Sequence, residues 1–351
     1  ISVNISNNTA TSVGGGVLNE NQNENNPCGI KDCTIRGNVA NGEKFSYSGA
    51  GIYNTGYLVT DGSNFESNTG LKNGGGLYNI GTMELKETPV FNGNKANGNG
   101  SAVYNDGRIN DFHIDATGNM TAESTLYNSD TGAIQAPTFT GNISITSNNG
   151  YGIHNAGIFS INSILYKKMD EELTIKNNEG SEIINDGYFS FNNMWVDIGT
   201  IEKENIRSVT NNGQFSLSDC VGTITSSADY TMYNSDTLKI SGDGENFSNK
   251  LNITSEKNKG TVIYNGKNAT ADISDIVYVA PVYKNSTTYV EKGIDNQGTL
   301  SYACEINGNI MSKWRIYYGV YNNGKIVDNT DSSYCASGNI SYCNTAVFND
   351  N

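Results

Sequence analysis

The sequence predicts an all-β protein, a right-handed parallel β-helix (solenoid) of about 13 coils with three short strands per coil. Three observations support this fold class: a repeated motif that ends in Asn-x-Gly, an alternation of residue types with the period of a strand, and a surplus of Asn and Gly. Asn accounts for 54 of the 351 residues and Gly for 40. A repeat period of about 20–50 residues is typical of stacked-repeat architectures.

The repeated motif consists of a small residue, an aliphatic residue, usually Tyr, then Asn, any residue and Gly. Its clearest copies are GAGIYNTG at 49–56, GGGLYNIG at 74–81 and GSAVYNDG at 100–107. The motif Asn residues are Asn19, Asn54, Asn79, Asn105, Asn128, Asn155, Asn185, Asn211, Asn234, Asn265, Asn296, Asn322 and Asn349. The 12 gaps between these 13 residues average 27.5 residues, so we expect one copy per coil.

The first strand of each coil precedes the motif Asn. The position two before the Asn is apolar in every copy, as at Ile52 and Leu77. The positions one and three before it accept a carboxylate, at Asp295 and Glu182, and we expect both to face water because an unpaired buried charge is costly. This alternation is the period of a strand, and it turns the motif Asn inward. Because stacked strands lie about 4.8 Å apart, the inward amides can form an Asn ladder.

Two further strands complete the predicted coil. A second alternating run follows the motif Gly, as at Phe159 and Ile161. A third short run ends in a Phe/Ile-x-x-Asn signature at 35–38, 65–68, 91–94, 139–142 and 306–309. The best helix candidate is 166–172, and a solvated insertion is the preferred interpretation there. The low count of 4 Pro fits strands that all donate to neighbours.

We expect one elongated domain over residues 1–351, as a segment or subunit of a longer solenoid or fibre. The chain from Ile1 to Asn8 resembles the strand that would follow the stretch from Phe348 to Asn351. Joining two chains would separate Asn349 and Asn19 by 21 residues, close to the shortest internal gap of 23. Two interpretations remain: a fragment of a longer surface protein, and a subunit that stacks head to tail into a filament. No signal peptide is visible, and we interpret Ile1 as an internal or processed end.

The combination of the Gly-Gly-small-aliphatic motif with Phe-x-x-Asn resembles the repeats of chlamydial polymorphic outer-membrane proteins. It is equally similar to large adhesin-like surface proteins of gut bacteria and methanogens. The best copies are 74–81 with 91–94 and 49–56 with 65–68, and the resemblance weakens after Asn185. It implies a right-handed parallel β-helix displayed at the cell surface, commonly in adhesion, and it carries over no catalytic residue.

The six Cys residues suggest an exported protein. Cys28 with Cys33, and Cys335 with Cys343, enclose short loops and are possible local disulfides. Cys33 also occupies an inward position before a third strand, so a buried thiol is the alternative to a disulfide with Cys28. No Cys or His spacing supports a zinc site, and we expect no metal or cofactor.

An aromatic column occupies the position just before the motif Asn. Its members are Tyr53, Tyr78, Tyr104, Tyr127, Tyr233, Tyr264, Tyr321 and Phe348. One interpretation is a self-stacked ladder that rigidifies the coils. The other is an exposed platform for sugar rings or a protein partner.

The charge balance excludes some partners. A formal net charge of -14 argues against nucleic acid, because phosphate binding needs Lys and Arg, and against anionic lipid. No apolar run is long enough to span a bilayer as a helix. The remaining expected partner is a host or neighbouring-cell surface, through glycan or protein.

Parallel β-helices also host polysaccharide lyases and hydrolases, whose catalytic sites need clustered carboxylates. The candidate carboxylates are Asp229 with Asp236, Asp111 with Asp115, and the run from Asp170 to Glu172. None pairs with a basic residue at a spacing repeated in a neighbouring coil. A galacturonase-like Asn-Thr-Asp stands alone at 329–331, and SGDGEN at 241–246 lacks the distal Glu of a calcium loop.

These observations predict a non-enzymatic, extracellular adhesin-like or structural β-helix protein. A carbohydrate-active enzyme on the same scaffold is the second hypothesis, and a phage tail-spike-like glycan-binding protein is the third.

Overall fold

The computed structural model describes residues 3–42, 48–163, 172–200, 206–241, 251–274, 277–281, 289–302, 305–307, 309–310, 313–314, 316–327, 339–341 and 343–350. The regular structure of these residues is entirely β-strand, without a helix. The helix candidate at 166–172 lies outside them except for Glu172, which begins a strand. The chain forms two compact units. We call Ile1–Leu165 with Met169–Ile183 the N-terminal unit, and Tyr166–Lys168 with Ile184–Asn351 the C-terminal unit.

The N-terminal unit consists of three parallel sheets, to which each coil contributes strands in the order B, C, A. Sheet A contains Asn4–Ser6, Thr34–Arg36, Asn64–Glu66, Val90–Asn92, Ile114–Thr117, Ile143–Thr146 and Glu172–Lys176. Sheet B contains Val17–Asn19, Ile52–Asn54, Leu77–Asn79, Val103–Asn105, Met120–Asn128 and Asn149–Asn155, with the two-residue strands Thr9–Ala10, Val39–Ala40, Thr69–Gly70 and Lys95–Ala96. Sheet C contains Cys28–Lys31, Tyr57–Asp61, Thr82–Lys86, Arg108–Phe112, Ala133–Phe139 and Ile158–Ser163.

The C-terminal unit repeats this plan in sheets D, E and F. Sheet D contains Trp195–Thr200, Val221–Ser226, Leu251–Ser255, Val277–Pro281, Glu305–Asn307 and Asn339–Ser341. Sheet E contains Val209–Asn211, Tyr230–Asn234, Thr261–Asn265, Val290–Asn296, Ile316–Asn322 and Cys343–Asn349, and the strand Ile183–Asn185 ends in the same motif. Sheet F contains Tyr188–Asn192, Gln214–Ser218, Thr237–Ser241, Thr270–Ser274, Thr299–Tyr302 and Lys325–Ile326. Asn309–Ile310 and Lys313–Trp314 form a small antiparallel pair.

The cores are rows of apolar side chains held in register from coil to coil. Phe65 pairs with Phe91 in sheet A, their rings stack with centroids 4.4 Å apart, and both are fully buried. Phe189 and Phe215 stack in the same way in sheet F, at 5.0 Å. Burying such a side chain contributes about 1.5–3 kcal/mol relative to leaving it exposed. The period of two in the sequence therefore places one face of most described strands in a core, although both residues of the strand Lys325–Ile326 are exposed.

The structure confirms the parallel β-solenoid with three strands per coil. All 13 motif Asn residues are the last residues of strands. The residue two before each is buried, except in the first and last copies, where Val17 is half-buried and Val347 is exposed. The single domain over 1–351 and the right-handed coil stay predictions.

The prediction that residues 139–142 end a third strand is wrong. Phe139 ends a strand of sheet C, and Asn142 is exposed in the turn that follows. In sheet A, Ile145 takes the position of Phe65 and Phe91, so that Asn148 is the signature Asn. The Pro-containing strand Ala133–Phe139 is longer than its predecessors in sheet C, and this extra length shifts the phase of the coil. For the copy at 306–309, residue 308 and the side chains of the other three residues lie outside the described part.

Candidate functional site

The motif Asn residues form the predicted ladder at the corner between the first and second strands of each coil. In the N-terminal unit each Nδ2 donates to Oδ1 of the Asn in the next coil, at 2.7–2.8 Å, from Asn19 through Asn155. In the C-terminal unit the same bond runs from Asn185 through Asn349, at 2.7–2.9 Å. All bonds point the same way along the chain, so the amide dipoles of each ladder are aligned.

Asn79 shows what one rung does. Its Nδ2 donates to Asn105 Oδ1 at 2.8 Å, to Gly81 O at 3.1 Å and to Arg108 O at 3.2 Å. Its Oδ1 accepts from Asn54 Nδ2 at 2.7 Å, and the residue is fully buried. A rung therefore ties three coils together and satisfies carbonyl groups at the corner, which would be costly to bury without partners.

A second Asn ladder, which sequence analysis did not identify, lies at the corner after sheet A. Each Oδ1 accepts from both the backbone N and the Nδ2 of the Asn in the preceding coil, at 2.9–3.1 Å. Its members are Asn8, Asn38, Asn68, Asn94, Asn119, Asn148 and Asn178. The signal in the sequence is the Asn of the Phe/Ile-x-x-Asn signature, which also marks the third strand.

The residue before each Asn of the second ladder has a positive φ. These residues are Asn7, Gly37, Ser67, Gly93, Gly118, Ser147 and Asn177, with φ from 54° to 63°. The left-handed conformation turns the chain from sheet A towards sheet B, and Gly, Asn and, less readily, Ser tolerate it. The two ladders lie at separate corners of the coil and together account for 20 of the 54 Asn residues.

The aromatic column is a stack of rings in the N-terminal unit. Tyr53 and Tyr78 stack at 5.4 Å between centroids, and Tyr78 and Tyr104 at 4.5 Å. Tyr127 lies 4.9 Å beyond, and His154 meets it edge-on at 5.0 Å. Burial raises the pKa of Tyr78 well above its usual range and raises that of Tyr104 to about 12, with the neighbouring Tyr127 as a further cause for Tyr104.

The expectation of an exposed aromatic column is wrong for Tyr53 and Tyr78, which are only 6% and 3% exposed. Rings of the neighbouring coils cover both faces of Tyr78 and one face of Tyr53, and these buried rings cannot lie against a sugar. Tyr104 and Tyr127 are half-buried. The self-stacked interpretation therefore describes this part of the column.

The column members of the C-terminal unit contact other rings and cations. Tyr233 stacks on Tyr264 at 5.0 Å, with the Arg207 guanidinium 4.9 Å from the Tyr233 centroid. Tyr321 stacks on Phe348 at 5.2 Å, and Phe348 is the exposed member, at 36%. The Arg207–Tyr233 contact has the geometry of a cation–π pair, and the Tyr233–Tyr264 contact is a stacked aromatic pair.

The two carboxylates that suggested outward columns are both buried. Asp295 accepts from Lys292 Nζ at 2.6 Å, and this ion pair lies against the Tyr321 ring. Glu182 is fully buried and accepts from Asn178 Nδ2 at the end of the second ladder. The position three before the motif Asn faces the neighbouring coil, where a Cβ on Gly51 would lie 2.3 Å from Gly76 O. Partnered charges can be buried, and this is why the inference from charge alone failed.

The predicted Cys28–Cys33 disulfide is absent, because both residues are thiols. Cys28 begins an extended strand that ends at Lys31, and Asp32 then turns the chain with a φ of 51°. The three extended steps from Cys28 to Lys31 span about 10 Å, whereas a disulfide needs Cα atoms within about 7 Å of each other. Cys33 is instead buried, as the alternative expected. Cys343 is also a thiol, and Cys335 lies outside the described residues.

The carboxylates considered for catalysis do not converge in the described residues. Asp111 is on sheet C and Asp115 is on sheet A. Asp229 lies 3.7 Å from Lys257 Nζ, and Asp236 is exposed in a corner. Asp170, residues 329–331 and all of 241–246 except Ser241 lie outside the described part. The described residues contain no group of three or more His, Cys, Asp and Glu suited to a metal ion.

A surface groove of about 460 Å³ opens at the corner between sheets B and C of the N-terminal unit. Its floor includes the first residues of four neighbouring sheet C strands: Tyr57, Thr82, Arg108 and Ala133. Register pairs these residues in one row. Its wall is the segment 20–27, which contributes Gln22 and Glu24. Sequence analysis missed the groove, although the longest motif gap, 35 residues between Asn19 and Asn54, marks this extra segment.

The wall is tied to the coil beneath it. Gln22 Nε2 donates to Thr55 O at 2.7 Å, and the Tyr57 amide donates to Asn21 O at 2.6 Å. Asn21 Nδ2 closes the segment on itself by donating to Asn26 O at 2.8 Å. Hydrogen bonds therefore fix the wall of the groove to the neighbouring coil.

Charged side chains continue from the groove across the outer face of sheet C. Tyr57 OH donates to Glu84 Oε1 at 2.7 Å, which raises the pKa of Tyr57, and Lys86 Nζ lies 2.6 Å from Glu84 Oε2. Burial pushes the pKa of Glu84 up, but the hydrogen bonds from Lys86 and Tyr57 together hold it below its usual value. Beyond them, a hydrogen bond from His113 lowers the pKa of Asp111.

The chain was compared with known proteins. Comparisons with protein-family models, curated proteins and solved structures found no match. A search of the described residues for a helix long and apolar enough to cross a membrane found none.

Proposed function

We propose that this chain is an adhesin-like or structural β-solenoid of the cell surface, which presents its outer sheet faces to a glycan or protein partner. The observation that supports it is the pair of buried Asn ladders in the N-terminal unit. The ladders and the stacked Tyr rings connect successive coils through side chains as well as backbone bonds.

This construction suits a scaffold that bears load. Within the described part of each unit, successive coils are joined by parallel strand pairs in three sheets and, at two corners in the N-terminal unit, by hydrogen bonds between Asn side-chain amides. These bonds are buried, so they are screened from competing water. The outward side chains of the strands are then not needed to hold the coils together and can bind a partner, as in other repeat proteins.

The test uses beads coated with the purified chain and cells of the source organism. Antibodies against the folded chain should label intact cells, and coated beads should be retained on neighbouring or host cells under flow. Soluble folded chain should compete for retention, and denatured chain should not. Labelling that requires permeabilised cells, together with retention no higher than that of uncoated beads, would refute the proposal.

A carbohydrate-active enzyme is the second candidate, because the groove carries a carboxylate at Glu24 and a guanidinium at Arg108. Incubating the chain with polysaccharides and measuring new reducing ends or unsaturated products distinguishes the two functions. Product formation that is lost in Glu24→Gln would favour the enzyme. Binding without product formation favours the adhesin-like function.

A further inference from the structure

We infer that the groove formed by Gln22, Glu24, Tyr57, Thr82, Arg108 and Thr131 is a binding site for a neutral oligosaccharide that lies along the stack of coils. The inference rests on the proposed surface function and assigns it a site and a ligand class. It replaces the buried Tyr53–Tyr78 column as the place where the chain recognises a glycan.

The dimensions of the groove suit a short sugar chain. Its volume of about 460 Å³ lies within the range of about 300–1,000 Å³ typical of ligand sites. The row of four strand starts spans about 14 Å at the spacing of stacked strands. An extended pyranose chain repeats at a similar spacing, so that successive sugar rings can meet successive coils.

The side chains of the groove offer what a sugar needs. Tyr57 is half-buried and its OH is held by Glu84, which fixes the orientation of the ring, and an aromatic ring can pack against the apolar face of a pyranose. Gln22, Thr82 and Thr131 provide neutral donors and acceptors. Such a combination of one aromatic surface with a few polar groups is typical of small-molecule sites.

The charges favour a neutral ligand over a charged polymer. Glu24 and Arg108 are both exposed, and neither forms an ion pair with another described residue. Carboxylate and guanidinium are planar groups that can bind two adjacent hydroxyls at once. Their charges cancel within the groove, while the net charge of -14 on the chain repels polyanions.

The structure already orients one of these groups. Arg108 Nε donates to Asn110 Oδ1 at 2.5 Å, which holds the guanidinium over the start of its strand. Gln22 is anchored through its amide to the Thr55 carbonyl. Groups that are held before binding lose less conformational entropy on binding.

The experiment measures binding of neutral gluco-, manno- and galacto-oligosaccharides of two to six residues by calorimetry, with an oligogalacturonide as the acidic comparison. We expect at least one neutral series to bind, with affinity that rises up to the length that fills the groove. Arg108→Ala and Tyr57→Ala should each weaken binding by about 10-fold or more, as for the loss of a charged hydrogen bond or a packed ring. Tyr57→Phe keeps the ring and should retain most of the affinity.

The matched controls lie outside the groove. Tyr188 also begins a strand at the same corner, in the C-terminal unit, and is exposed, so Tyr188→Ala should bind as the wild type does. Arg36→Ala removes an exposed guanidinium from sheet A and should likewise leave binding unchanged. Circular dichroism establishes that each variant is folded.

Three results would overturn the inference: no binding by any neutral series, preference for the acidic oligosaccharide, or equal loss in groove and control variants. The proposed function fails separately. If coated beads adhere to cells but no neutral oligosaccharide binds in the groove, the groove inference fails and the adhesin-like function stands. If neutral oligosaccharides bind in the groove but the chain is not at the cell surface, the groove inference stands and the proposed function fails.

Discussion

At the scale of single residues, the defining feature of this protein is a side chain that donates and accepts in opposite directions. An Asn amide at a coil corner accepts from the coil on one side and donates to the coil on the other, and Asn79 does both while fully buried. Asp is almost isosteric but, when ionised, has no donor. The identity of the residue therefore matters more than its polarity.

Asn79→Asp tests this argument. The new carboxylate would face Asn105 Oδ1 and two carbonyl oxygens where Asn79 now donates. We expect the free energy of unfolding to fall by about 3 kcal/mol, since the substitution buries a carboxylate against three acceptor oxygens to which it cannot donate. Denaturant titration followed by circular dichroism measures it. Asn92→Asp, at an exposed strand position, is the matched control, and an equal effect of the two substitutions would contradict the ladder argument.

The Tyr stack predicts a dependence on alkaline pH. Burial raises the pKa of Tyr104 to about 12, above the unfolded value of about 10. Stability from the neutral phenol is therefore fully present below pH 10 and is lost as pH rises towards 12. In an absorbance titration at 295 nm, Tyr104→Phe should remove amplitude near pH 12. Removal of amplitude near pH 10 instead would show that the ring is not buried.

At the scale of elements, each coil is defined by its corners as much as by its strands. The residue before each Asn of the second ladder is in the left-handed region, and three residue types occupy it. A Cβ added at Gly93 would contact only Ser67 Oγ, at 3.6 Å. The choice of residue at this position is therefore restricted by backbone conformation and not by space.

Exchanging the residues of two successive corners tests this. Ser67 has a φ of 54° and Gly93 a φ of 63°, and the left-handed region costs about 1–2 kcal/mol for a residue with a Cβ. Allowing for the greater freedom of Gly in the unfolded chain, Ser67→Gly should raise the free energy of unfolding by about 0.5–1 kcal/mol. Gly93→Ser should lower it by a similar amount. Changes of the same sign, measured by chemical denaturation, would contradict the assignment.

At the scale of the whole molecule, the largest electrostatic feature is the net charge of -14. The described ion pairs at the surface, such as Lys31 with Asp61 at 2.5 Å, join groups that are exposed or half-buried, and each contributes little. Repulsion among the excess carboxylates opposes the compact state.

Salt should therefore stabilise this chain. Raising NaCl from about 10 to about 150 mM shortens the Debye length from about 30 to about 8 Å, and the thermal midpoint should rise by a few degrees. The rise should disappear near pH 4.6, the isoelectric point, where the net charge vanishes. A midpoint that falls with salt at pH 7 would show that ion pairs outweigh the repulsion.

The fold was predictable because each coil of a solenoid repeats the same sequence motif. A period of about 27 residues and an alternation of two are both local patterns, so they need no knowledge of distant contacts. The FTGN copy was misplaced because the strand Ala133–Phe139 is extended, and a change of phase within one coil leaves little trace in a short signature.

The sequence by itself determined the architecture, the inward motif Asn and the Asn ladder, since each follows from residue type and spacing along the chain. Only the tertiary structure decided which polar groups are exposed. Glu182 and Asp295 are buried with partners only three or four residues away in the chain, and Tyr78 is buried because another coil covers its ring. The groove likewise exists because the segment at 20–27 folds back over Tyr57, more than 30 residues later in the chain. Burial and convergence depend on contacts between distant residues, which a repeat pattern does not contain.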